Sequence, residues 1–384
     1  MTDSPNEMLE MGLFTGAPQH TNFCRIKELA PTATMTPSPK PYTWPEAEAL
    51  SIPETYTFNG EERSSEKLLV DTDTAALLVI VDGAIRYEQY WLTGGPDVNW
   101  LSMSVAKSFI SALVGIAIAE GRIENIDDPI SRYVPVNPGS AYDGVPIRTV
   151  LQMSSGARWN EDYSDTESDI FQVSMAMLGV GGGLDDFVAR MVREHEPETV
   201  CRYNSGETQI LGALIARATG HSVADYMQEK LVNPLGFESP GYWVTDLAGT
   251  EMSYAGLNLT ARDFARLGEL YRNEGSWQGR QIVDEQWVRD STSINSAIRE
   301  PGKPLVGDHA MSLGYGYQWW IPAGDRGGYS AIGVLNQFVY VDPETESVIV
   351  KLSANRNYGT ANTEEVNRDA ENVEFLRAIA QRAH

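Results

Sequence analysis

The stretch LSMSVAKSFISALVGIAIAEG, Leu101–Gly121, decides how the rest of the chain is read. Val105, Phe109, Ile110, Leu113, Val114, Ile116 and Ile118 make a helix that is apolar nearly all round, and Gly121 is a natural stop for it. Ser104, Lys107, Ser108 and Ser111 follow the i, i+3, i+4, i+7 spacing and form one narrow polar seam. A lysine is almost never buried without a partner or a purpose. Desolvation disfavours its ammonium form, so Lys107 in such a helix is expected to become a neutral amine able to take a proton. Ser104 sits at the helix start, where backbone N–H groups lack intrahelical partners and suit developing negative charge. A serine, an amine base and an oxyanion donor within four residues make a compact acyl-transfer site.

A second Ser-x-x-Lys, Ser64 with Lys67, lies in the charged segment NGEERSSEKLL and reads as solvated surface. Other schemes are weaker. There is no G-x-S-x-G elbow, and the five histidines (His20, His195, His221, His309 and His384) read as surface groups rather than triad members. Neither an H-E-x-x-H pattern nor a cysteine cluster points to a metal, and no organic cofactor is implied. GVGGG at Gly179–Gly183 lacks the Lys-Ser/Thr of a phosphate loop, and the acidic pair Glu161-Asp162 is read as a solvated loop.

Outward from the helix, TAALLVIVDGAIRYEQYWL reads as two strands joined at Asp82-Gly83. Helical patterns follow in SGETQILGALIARATG, in SVADYMQEKLVNPLGF (ended at Asn233-Pro234) and in ARDFARLGELYRNEG. Strands return in YGYQWWI, NQFVYVDP and SVIVKLS, and NVEFLRAIAQRA is a last helix. The expected organisation is an extended Pro/Thr-rich arm over 1–55, an α/β body from 56–124 and 256–384, and a mostly helical insertion over 125–255 roofing the cleft. The 384 residues, 42% hydrophobic, suffice for such a core, and the charge of 29 − 53 = −24 disfavours nucleic acid and anionic membranes as partners. Cys24 and Cys201 read as free thiols of a reducing compartment. The acidic start MTDSPNEMLEM has no apolar signal core, and the longest apolar run falls short of the roughly 18 residues of a spanning helix. A cytoplasmic protein acting on a small molecule is expected, with a homodimer left open.

Taken together, SMSVAKSF, GRIENIDDPISRYVP, IRTVLQMSSG, CRYNSGETQILGALIARATG and GLNLTARDFARLG resemble, in order, segments of the β-lactamase-related serine hydrolases. That family includes class C β-lactamases, D-alanyl-D-alanine peptidases and family VIII carboxylesterases. LSMSVAKS, YDG, NEDYSD and VDPETESVIVKLS are most similar to its nylon-oligomer amidase branch. The resemblance implies an α/β (α+β) β-lactamase/transpeptidase-like fold, with an antiparallel sheet flanked by helices. It implies Ser104 as nucleophile, Lys107 as its basic partner, and Tyr203 as the group that moves protons between serine and leaving group. Tyr203-Asn204-Ser205 departs from the Tyr-x-Asn pattern, with Ser205 replacing the asparagine as a substrate contact. Ala331-Ile332-Gly333 stands where the family has Lys/His-Thr-Gly. Gly333 is kept, the N–H of Val334 is implied as second oxyanion donor beside Ser104, and the missing cation argues against β-lactamase and peptidase activity. Tyr163 matches a tyrosine that contacts the substrate amide. The implied activity is hydrolysis of a carboxylic ester or linear amide through an acyl-enzyme, with a β-lactamase, a D-amino-acid peptidase or a non-turnover acylating sensor as alternatives.

Overall fold

TAALLVIV carries eight apolar or small residues in a row, so it can be a strand only where both faces are covered. The computed structural model describes residues 7–306 and 310–383, and it places this segment, β1 (Thr74–Val81), one strand in from the edge of a seven-stranded antiparallel sheet. With β2 (Ala84–Tyr90), β3 (Leu313–Tyr315), β4 (Trp320–Pro322), β5 (Tyr329–Gly333), β6 (Gln337–Asp342) and β7 (Ser347–Ser353), the order is β3-β4-β5-β6-β7-β1-β2. The expected hairpin at Asp82-Gly83 forms, both residues taking positive φ (47° and 72°) as the tight turn requires.

Alternation along the strands divides the core. Leu78, Ile80, Val339, Val341, Val348 and Val350 face a large cluster that holds α1 (Ala106–Ala119), α2 (Ser205–Thr219) and α3 (Ala261–Arg272). Leu77, Val79, Phe338, Tyr340 and Ile349 face the opposite side, covered by Val373, Phe375, Leu376 and Ile379 of α4 (Asp369–Arg382). α1 is buried over Ala106–Ala117, its serines and lysine included, which is why its sequence shows so little amphipathicity.

A smaller sheet orders Thr32–Met35, Gly241–Val244, Leu257–Leu259 and Trp100–Leu101, so the N-terminal arm supplies an edge strand. The arm also carries the short helices His20–Phe23 and Ile26–Leu29, pinned by Phe23 packing edge-on to Trp100 at 5.7 Å. Trp100–Leu101 leads directly into the turn that bears Ser104.

Two expectations are corrected. YGYQWWI is not one strand: the chain turns between β3 and β4, with Gln318 at φ 62° and its amide tied to Leu151 O and the Thr208 hydroxyl. Asn233-Pro234 does not end its helix either. Gln228–Val232 widen into a π-helical turn, in which the Asn233 N–H reaches Gln228 O, and Pro234 enters a last turn that stops at Gly236 (φ 68°). No helix among the described residues is long and apolar enough to cross a membrane.

Candidate active site

The Leu101–Ala106 turn is tight: Met103 adopts φ 45°, and a 3₁₀ turn over Met103–Val105 precedes α1. A non-glycine residue held there is a strained position of the kind that active sites retain. The turn sets Ser104 on a cavity wall with only 6% of its surface exposed, while Lys107, one helical turn on, is wholly buried. The Lys107 Nζ lies 3.0 Å from Ser104 Oγ, 3.0 Å from Ser205 Oγ and 2.9 Å from the carbonyl oxygen of Tyr254. Burial pushes its pKa down to about 7, against an opposing pull from the Glu161 carboxylate. Near neutrality the amine is thus divided between its neutral and charged forms, where the sequence led to the expectation of a neutral one.

Tyr203 ends the loop before α2, whose N-cap Asn204 accepts from the Gly206 N–H. Its ring stacks on Trp320 (centroids 5.0 Å apart, planes at 30°) and meets Tyr315 edge-on, while Lys107 Nζ lies 5.1 Å from its centroid. Burial raises the Tyr203 pKa well above its ordinary value, Glu161 adds to that, and a hydrogen bond with Ser104 works the other way. Ser104 and Lys107, and the sequence-distant pair Tyr203 and Ser205, therefore share one cluster.

Gly333, at the end of β5, packs against the serine turn: a Cβ there would lie 2.6 Å from Ser102 O and 2.9 Å from Ser104 N. Leu335 and Asn336, both at positive φ, turn the chain into β6 and leave Val334 on the cavity wall with Ser104. Ala331 and Gly333 are buried and are not among the residues lining the cavity. Tyr163 does line it, its ring 4.6 Å from that of Phe14.

Glu161 overturns the reading of Glu161-Asp162 as a solvated loop. It is buried, and its carboxylate accepts from Ser205 Oγ (2.6 Å), Ser205 N (3.1 Å), Tyr163 OH (2.7 Å) and Trp159 Nε1. One signal was available: Trp159, Glu161 and Tyr163 alternate, which in extended chain puts a carboxylate and two donors on one side. Tyr254 offered none, because it contributes a backbone carbonyl. By contrast Ser64 caps a surface helix and Lys67 pairs with Asp71 at 2.7 Å, its side chain 72% exposed. His195 and His221 lie away from the cavity lining; His309 and His384 lie outside the described residues.

The cavity measures about 560 Å³ and runs from Ser104 toward the start of α4. Among the described residues lining it there is no lysine or arginine, while Glu161, Glu364, Glu365 and Asp369 all contribute. Burial pushes Glu364 up to about 7 and Asp369 up to about 8; Asp369 accepts from Tyr358 OH (2.6 Å) and Asn336 Nδ2 (3.2 Å). Arg326 does not reach this space, since it pairs with Asp342 (2.9 Å) and Glu344 (3.1 Å).

Comparison with known proteins fits this geometry. Residues 65–374 match the family model described as Beta-lactamase. The chain is 32% identical over 346 residues to 6-aminohexanoate-dimer hydrolase of Paenarthrobacter ureafaciens, covering 86% of this chain and 84% of that one. Among solved structures it is similar to one from Bacillus anthracis named for the same hydrolase (TM-score 0.82, 24% identity, 94% and 93% of the two chains). It is also similar to the octameric penicillin-binding protein homologue of Pyrococcus abyssi (TM-score 0.59, 16% identity, 80% and 76%).

Proposed function

The chain belongs to the beta-lactamase family of hydrolases, and on that premise we propose that it cleaves neutral carboxylic esters or linear amides through an acyl-enzyme on Ser104. The observation that carries the reading is the 3.0 Å contact between Ser104 Oγ and a buried amine whose pKa is held near 7. Lys107, coupled to Tyr203, takes the Ser104 proton as Oγ bonds to the substrate carbonyl carbon. The N–H groups of Ser104 and Val334 receive the oxyanion. Tyr203 gives its proton to the leaving alkoxide or amine as its bond to carbon breaks and regains one from the Lys107 ammonium, so that a water, with Ser104 Oγ as the new leaving group, repeats the sequence to free the acid and Ser104.

Amide hydrolysis of linear oligomers is the sharper form of this reading, supported by the 32% identity to 6-aminohexanoate-dimer hydrolase. Tyr163, which lines the cavity, is assigned to the substrate side of the site as part of the same reading, whereas Ser205 and Gly333, expected there from the sequence, are buried behind the lining. The absence of a lysine or arginine from the described lining argues against substrates with a carboxylate beside the scissile bond, which would find no charged partner there. A charge-assisted hydrogen bond is worth roughly 1.5–3 kcal/mol, so its absence costs about ten- to a hundredfold in kcat/KM. The test is a panel of short p-nitrophenyl esters, linear amides with an uncharged leaving side, and a chromogenic cephalosporin. Ester turnover that exceeds cephalosporin turnover by that factor is expected. Efficient cephalosporin hydrolysis, or acylation with no turnover of any substrate, contradicts the proposal.

A further inference from the structure

We propose that Glu161 is a positioning residue of this site: by engaging the Ser205 hydroxyl it makes Ser205 an obligate acceptor from Lys107, which aims the amine's lone pair at Ser104. A count of hydrogens around the amine supports this role, which rests on the reading of Lys107 as the base for Ser104. A neutral amine has two hydrogens and one lone pair, and the Lys107 nitrogen has three oxygen neighbours, at 3.0, 3.0 and 2.9 Å. The Tyr254 carbonyl can only accept. Ser205 has a single hydroxyl hydrogen, and a carboxylate oxygen 2.6 Å away claims it. Both amine hydrogens are thereby committed, to Tyr254 O and Ser205 Oγ. The lone pair is left for the remaining neighbour, the Ser104 hydroxyl.

Without that carboxylate, the Ser205 hydroxyl can turn and donate to the lone pair, which would quench the base. Glu161 is suited to the task because everything around it donates: Trp159 Nε1, Tyr163 OH, and the backbone and hydroxyl of Ser205. Glu161 reaches Lys107 through Ser205 and so supplies orientation with no contact on the reacting atoms. Its charge also acts on the amine. The groups facing Lys107 are the Tyr203 ring from before α2, the Tyr254 ring from before Leu257–Leu259, and Glu161 from the loop over 159–163. Of these, the Glu161 carboxylate is the one that favours the protonated amine, against the desolvation that lowers its pKa.

The test compares wild type, Glu161→Gln and Ser205→Ala on one neutral p-nitrophenyl ester, with kcat, KM and full pH profiles. Glutamine can still accept from Ser205 but lacks the charge, so its acid limb should move to lower pH. Ser205→Ala keeps the charge and removes the relay. A misplaced base costs on the order of 10²-fold, so kcat should fall by about that factor with KM little changed. An unmoved acid limb in Glu161→Gln, or a wild-type kcat in Ser205→Ala, overturns the proposal. Should Glu161→Gln not fold, Ser205→Ala decides alone. A wild-type profile without an acid limb, or one that persists in Lys107→Ala, would instead overturn the reading of Lys107 as base and leave the two failures distinguishable.

Discussion

A primary amine among oxygens holds its proton only as tightly as its solvation and the nearest charge allow, and for Lys107 burial is the larger influence. The sign follows directly. Below pH 7 the amine is an ammonium with no lone pair, and above it the base is available, so kcat/KM should rise with pH through a limb centred near 7. Lys107→Arg should lose about 10²–10⁴-fold in kcat/KM, because a guanidinium stays protonated, and its thermal midpoint should fall, because that charge is buried. Lys107→Ala combined with Tyr203→Phe should be little worse than the poorer single variant, since groups sharing one proton-transfer step do not add. Cleanly additive losses measured in kcat/KM would count against a shared step. At this scale the sequence was legible where chemistry and spacing coincide: Ser104 and Lys107 stand three apart on an otherwise apolar helix. Tyr203 needed the family resemblance, because a tyrosine before a helix is more often simply core. Glu161 was misread because acidic neighbours in a short segment look solvated, and only tertiary structure puts Trp159, Tyr163 and Ser205 around its oxygens.

Among the elements, two glycines separate packing from catalysis. Gly115 on α1 leaves room for Trp287, whose ring atoms would lie 2.6 Å from an added Cβ. Gly115→Ala should destabilise by about 1–3 kcal/mol, the usual range for overpacking, and leave kcat/KM close to wild type below the unfolding range. At Gly333 the colliding atoms are backbone, Ser102 O and Ser104 N, which cannot rotate away. Gly333→Ala should therefore push β5 off the serine turn and cost activity on the order of 10²-fold, as a misplaced reacting group does. Thermal unfolding and ester kinetics on both variants check this; an active Gly333→Ala enzyme would separate β5 from the chemistry. The strands and long helices could be read from periodicity, and the Asp82-Gly83 turn from its residue types. The break between β3 and β4 could not, because YGYQWWI has the composition of a strand, and the turn is fixed by Gln318 bonds to Leu151 and Thr208, more than a hundred residues away.

For the molecule as a whole, the sheet that carries β5 also buries a second lysine. Lys351 in β7 donates to Thr72 Oγ1 (3.1 Å) and Ser353 Oγ (2.6 Å), and burial holds its pKa well below 10.5. The unfolded chain binds the proton that the folded one lacks, so stability should rise with pH from the folded pKa up to 10.5. Lys351→Met should flatten the gain in thermal midpoint as pH rises toward 10.5, without removing the share that Lys107 contributes in the same direction. Equal slopes in the two proteins would refute a neutral Lys351. Antiparallel strands from both ends of the chain enclose this lysine, and the same closure brings Val334 to Ser104. On the proposed mechanism, Ser104 is the nucleophile that this closure completes. That role is tested most directly by treating the intact protein with a p-nitrophenyl phosphonate and locating the adduct by peptide mass. The predicted result is a single phosphonyl group on Ser104, absent from Ser104→Ala and formed far more slowly in Lys107→Arg; an adduct on Ser64, or on any serine away from the Leu101–Ala106 turn, would contradict it.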